Sequence, residues 1–161
     1  PTKSPFIYRT RLGIIAMICL LPLIPVFRYN YGENYQLTQS NVSQAIEPDE
    51  MVMGNLLYWF GLRENKYINW SNLVLYQRSV PGSTLEEAFD SLRPDIFILD
   101  KHVKGYTFDS QDKSLYRQGF SISKSELDSY LNQHGELISS IEEGNGEFLN
   151  IYRLIWDESQ P

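Results

Sequence analysis

The sequence predicts an α/β chain: one N-terminal transmembrane helix, then a small three-layer α/β domain with a mostly parallel sheet closed by an antiparallel hairpin. Three observations lead there. Leu12–Phe27 is 16 residues without a charge, bracketed by Arg11 and Arg28. Thr84–Leu92 has a helix start and a one-sided apolar pattern, with Leu85, Ala88, Phe89 and Leu92 at i, i+3, i+4 and i+7. Ile96–Leu99 follows at once with no polar alternation, the signature of a strand covered on both faces. A capped helix feeding a doubly buried strand is the repeating unit of an open α/β sheet.

The apolar run comes first. As a helix it extends about 24 Å, short of the roughly 30 Å hydrocarbon core, and the flanking arginines can snorkel to make up part of the difference. A signal-peptide apolar region and a buried core helix are the alternatives. The flank before Leu12 is basic and free of acidic residues, which puts it on the cytoplasmic side and the rest outside. The segmentation that follows is 1–29 for the basic flank and helix, 30–48 for a linker or weak helix from Gln36 to Ala45, 49–156 for an extracytoplasmic domain, and 157–161 for a tail.

Within that domain Met51–Met53 with Gly54 reads as a first strand. Leu56–Leu62 is apolar all round and reads as a short buried helix or turn. Lys66–Asn69 reads as a second strand, and Trp70–Arg78 as an irregular helix. Pro81-Gly82 is a turn. Thr84 and Glu87 have capping-box spacing, and Arg93 falls in the last turn before Pro94 stops the helix. His102–Ser121 is polar and reads as an exposed excursion. Ser123 and Glu126 repeat the capping-box spacing ahead of Leu127, Tyr130 and Leu131, and Gly135 suits the helix end. Glu136–Ile141 and Phe148–Ile155 flank Gly144-Asn145-Gly146 as a hairpin.

Charge narrows the function classes. All 20 acidic residues follow residue 30, with 10 of the 14 basic ones, so that portion carries −10. Such a surface repels nucleic-acid backbones, and nucleic acid is not an expected partner. The single cysteine, Cys19, rules out an internal disulfide and a cysteine-based zinc site. The sequence contains no G-x-G-x-x-G, P-loop, G-x-S-x-G or H-E-x-x-H pattern. No metal site is expected, and the chain itself implies no cofactor. It begins with Pro1, which suggests a piece of a longer protein.

Candidate ligand residues come from strand ends. In open α/β sheets ligands gather at the carboxyl ends of parallel strands. Asn55, Asn69-Trp70 and Asp100 occupy those ends, and His102 lies just beyond. Each has a bland reading as well, because Asp and Asn also terminate strands and cap helices. Tyr58, Trp59, Trp70 and Tyr76 form an aromatic group that suits sugar stacking, a core or a membrane interface. His134 suits a helix end. Asn41-Val42-Ser43 and Asn69-Trp70-Ser71 match the N-glycosylation pattern.

The phrase RPDIFILD (Arg93–Asp100), the run HGELISSIE (His134–Glu142) and the closing IYRL (Ile151–Leu154) carry a family likeness. With the order of elements around them, residues 12–156 resemble the C-terminal extracytoplasmic domain of bacterial polytopic glycosyltransferases. These are akin to the dolichyl-phosphate-mannose protein mannosyltransferases. The resemblance implies a parent membrane enzyme that transfers a sugar from a polyprenyl-phosphate donor on the outer side of the membrane. In that family an acidic catalytic residue lies in the first extracytoplasmic loop. No part of this chain corresponds to that loop, so no catalytic residue is carried over. The expected role is a non-catalytic accessory domain, with membrane lipid and a sugar or acceptor as partners. The alternative is a single-pass, membrane-anchored binding module with no enzymatic activity.

Overall fold

The computed structural model describes residues 35–108, 121–144 and 146–156. The first helix, α1 (Tyr35–Ala45), precedes strand β1 (Met51–Gly54), a 3-10 turn over Leu56–Gly61 and strand β2 (Lys66–Asn69). Helices α2 (Ser71–Ser79) and α3 (Leu85–Leu92) lead to strand β3 (Ile96–Leu99). The short helix α4 (Lys101–Gly105) and a small parallel pair, β4 (Thr107–Phe108) with β5 (Ile122–Ser123), come next. Helix α5 (Lys124–His134) then runs into the hairpin β6 (Gly135–Gly144) and β7 (Glu147–Leu154).

The main sheet has five strands in the order β2-β1-β3-β7-β6. β1 pairs in parallel with β2 and β3, whereas β7 pairs antiparallel with both β3 and β6. The fold expectation is corrected here in two respects. The sheet is mixed, because a hairpin can only return antiparallel and its second strand joins β3 inside the sheet. Leu149, Ile151 and Leu154 of that strand are buried, which is what places it there. The expected transmembrane helix at Leu12–Phe27 lies outside the described residues, and among these no helix is long and apolar enough to cross a membrane. The described fold is a mixed α/β domain.

Period-two alternation in β3 divides the core. Phe97 and Leu99 face one cluster with Met53, Leu73, Phe89, Leu127 and Leu131. Ile96 and Ile98 face the other with Val42, Val52, Tyr58, Leu149 and Ile151. Helices α2, α3 and α5 supply the first side; α1 and the 3-10 turn supply the second. Phe89 packs edge-on against Phe97 at 5.4 Å between ring centroids and stacks on Tyr130 at 4.2 Å. At the end of β1 a side chain on Gly54 would lie 2.9 Å from Ile98 Cβ, so only glycine lets β1 and β3 approach this closely.

Local signals explain the helices. Thr84 Oγ1 accepts from Glu87 N–H at 3.1 Å and Glu87 Oε2 accepts from Thr84 N–H at 2.8 Å, a complete capping box. Ser123 Oγ accepts from Glu126 N–H at 3.4 Å. Arg93 is not in the last helical turn. It is the cap after α3, with φ 43° in the left-handed region. Its guanidinium lies 5.7 Å from the Trp156 ring, whose Nε1 donates to the Pro94 carbonyl at 3.1 Å. The expected excursion begins with regular structure, α4 and β4.

Two substitutions check this packing. Phe97→Ala is expected to lower unfolding free energy by about 3–5 kcal/mol in chemical denaturation, the range for a truncated buried aromatic. Thr84→Ala is expected to cost only about 1 kcal/mol, the usual loss for a helix cap. A Thr84 effect as large as the Phe97 effect would show that more than the cap depends on Thr84.

Candidate functional site

The three parallel strands bring their carboxyl ends to one side of the sheet, and the predicted rim residues lie there. Their side chains are engaged locally. Asn55 Oδ1 accepts from Leu57 N–H at 3.2 Å and caps the 3-10 turn. Asn69 Oδ1 accepts from Ser71 N–H at 3.1 Å at the start of α2. Trp70 is buried in the core, its ring 5.2 Å from that of Tyr106, and its backbone N–H donates to the Gly54 carbonyl at 3.0 Å. His102 is half-buried on α4. His134, at the end of α5, stacks on Tyr130 at 4.9 Å and lies 3.8 Å from Glu86 Oε1.

Asp100 is the exceptional member. It is fully buried, and its Oδ1 accepts from Val103 N–H at 2.7 Å, capping α4. Its Oδ2 makes no hydrogen bond. Burial pushes the Asp100 carboxyl above its ordinary value, opposed first by the Val103 N–H and reinforced by the nearby Glu143 charge. The Tyr58 hydroxyl nearby favours ionisation slightly, but it donates to Glu143 Oε1 at 3.0 Å.

Glu143 is the residue that sequence reasoning missed. Its Oε2 accepts from Lys101 N–H at 3.2 Å, so two carboxylates from distant parts of the chain meet the first turn of α4. The β6–β7 register shifts between Glu142 and Gly144, which places Glu143 at an irregularity in the ladder. A bulge re-aims a side chain without any change in composition, so no sequence signal announces it. Chemically the group Tyr58, Glu143 and Asp100 can hold a proton, but Asp100 is sealed from solvent. Among the described residues no group of three or more His, Cys, Asp or Glu is arranged to hold a metal ion.

Beside this group lies an open groove of about 690 Å³ between α4 and the hairpin. Lys101 and Lys104 line one side; Leu137, Ser140, Glu147, Phe148 and Asn150 line the other. The Lys104 ammonium donates to the Phe148 carbonyl at 2.5 Å, and Ser140 Oγ donates to Asn150 Oδ1 at 2.9 Å. The Phe148 side chain is exposed. The arrangement offers two cations against one carboxylate, Glu147, with an aromatic surface and small polar groups, a combination suited to a phosphorylated or polar ring-shaped ligand. No protein-family model, no curated protein and no solved structure matches this chain.

The Asp100 environment makes a pH prediction. Because the folded carboxyl titrates above its ordinary 3.8, the folded state holds this proton more tightly than the unfolded chain. Its contribution to stability is fullest below that value and declines as pH rises through the raised one. Asp100→Asn keeps an oxygen for Val103 N–H and does not ionise. The variant is expected to match wild type near pH 4 and to gain on it as pH rises through the raised value. Urea midpoints measured across that interval check this; a constant offset between the curves would rule out Asp100 ionisation as the cause.

Proposed function

We propose that this domain is a non-catalytic accessory domain of a glycosyltransferase that takes its sugar from a polyprenyl-phosphate donor on the outer side of a membrane. Its role is to hold the donor head group or the acceptor. The observation that carries the reading is the groove between α4 and the hairpin. Its volume falls in the range of small-ligand sites. Lys101 and Lys104 supply charge for a phosphate, Phe148 a face for a sugar ring, and Ser140 and Asn150 polar contacts. The likeness of RPDIFILD and HGELISSIE to the glycosyltransferase domain points to the same ligand class. The engagement of Asn55, Asn69 and Asp100 as caps leaves this groove as the better candidate surface.

The test uses the full chain in detergent with labelled polyprenyl-phosphate mannose and an acceptor peptide. The chain is expected to retain the donor without transferring or hydrolysing the sugar. Lys104→Ala with Phe148→Ala is expected to weaken retention about tenfold or more, equivalent to roughly 1.4 kcal/mol or more. Sugar transfer by the chain alone would refute the non-catalytic role, and retention unchanged in the double variant would refute the groove.

A further inference from the structure

The turn Leu56–Gly61 leaves four apolar side chains in solvent: Leu56 is 55 % exposed, Leu57 36 %, Trp59 48 % and Phe60 62 %. Only Tyr58 turns inward, where it joins the core. Leu56–Leu62, read from sequence as buried, is therefore half outside. An apolar run shows that burial is available, not which side chains receive it.

The turn and the helix packed on it are themselves free of charged residues. No charged residue occurs from Gln36 to Ile46 or from Met51 to Leu62, although the chain after residue 30 carries −10. Helix α1, which covers the first of those stretches, packs on the turn, with Gln39 against Gly61. The backbone of the turn is also satisfied from within. Tyr58 N–H donates to the Asn55 carbonyl at 3.1 Å and Leu62 N–H to the Trp59 carbonyl at 3.1 Å, while Asn55 Oδ1 takes Leu57 N–H. Entering a less polar medium therefore strands few polar groups.

We propose that Leu56, Leu57, Trp59 and Phe60 insert into the interfacial region of a lipid bilayer, so that the domain rests on the membrane surface through this turn. The partial exposures amount to an apolar patch on the order of 400 Å². That is about half of what one partner contributes to a standard protein interface, which disfavours a second copy as the occupant. A bilayer sets no such threshold, and exposed Trp, Phe and Leu on a turn with no charge of its own suit its interface. The absence of charge also fits a zwitterionic surface better than the anionic one that so acidic a domain would avoid. The inference rests on the glycosyltransferase reading only for the presence of a membrane. Its test contains no sugar donor, so the two can fail separately.

The test is tryptophan quenching of the full chain by phosphatidylcholine vesicles with brominated acyl chains. The sequence has three tryptophans, and Trp59 is the one on the patch. Wild-type emission is expected to be partly quenched, and Trp59→Phe to remove the quenched component. Leu56→Glu with Phe60→Glu is expected to abolish quenching of Trp59 at an unchanged thermal midpoint. The apolar stretch Leu12–Phe27 contains no tryptophan, so any lipid binding by it does not mimic the signal. Quenching that survives Trp59→Phe unchanged overturns the proposal. So does an unquenched Trp59, whether protected by concentration-dependent dimerisation or by the chain's own N-terminal segment.

Discussion

The arrangement depends on one strand that has no exposed face. Ile96–Leu99 sends two side chains into each of the two core clusters, so neither cluster can be assembled without it. Its register is fixed at the entrance by Asp95. The Asp95 N–H donates to the Met51 carbonyl at 2.8 Å, its carbonyl accepts from Leu154 N–H at 2.8 Å, and its carboxylate accepts from Met51 N–H at 2.7 Å. Three strands are thereby aligned at one residue. A one-residue slip would exchange the two faces of β3 and place every buried side chain against the wrong layer.

That alignment determines what happens at the other end of the strand. Asp100 leaves β3 while still inside the molecule, because the hairpin and the 3-10 turn close over it with Glu143 and Tyr58. A carboxyl group in that position loses its hydration, and one backbone N–H restores only part of the loss. Protonation is the cheaper way to keep it there, which is why its affinity for the proton rises. A residue type that suggests a ligand site from the sequence becomes, in this setting, a buried cap with one unused oxygen.

Interactions confined to a few neighbouring residues were legible. The Thr84–Glu87 capping box, the apolar face of α3, the unbroken Ile96–Leu99 run and the Ser123 cap each follow from spacing alone. The position of β7 inside the sheet was not, because strand order is decided by pairing between residues far apart in sequence. Glu143 was hidden for a related reason: its inward turn depends on a shift in a ladder whose partner strand comes later. Gly135 shows the limit of local rules. It follows α5 as a helix-ending glycine does, yet its φ is −110° and it enters β6 directly. There glycine is required by space, since a side chain would meet the Leu131 carbonyl oxygen at 2.7 Å. The rim residues lie where the strand ends put them, with their side chains engaged as caps. Asn55, Asn69 and Asp100 do sit at the strand ends, but short polar side chains at such ends find backbone N–H groups first.

The two surfaces for which a function is proposed are physically connected. Tyr58 belongs to the 3-10 turn whose neighbouring side chains face solvent, and its hydroxyl is bonded to Glu143 of the hairpin. The same carboxylate accepts from Lys101 N–H and so holds the start of α4, whose lysines line the groove. Groove and turn are thus joined through one phenol and one carboxylate, with Asp100 packed beside them. Such a link fixes distance and orientation: a turn seated on a bilayer would hold the groove at a set height above it. Under the proposed reading, that height would decide whether the lysines reach a lipid-borne phosphate, and the position of Tyr58 would matter as much as the groove's own lining.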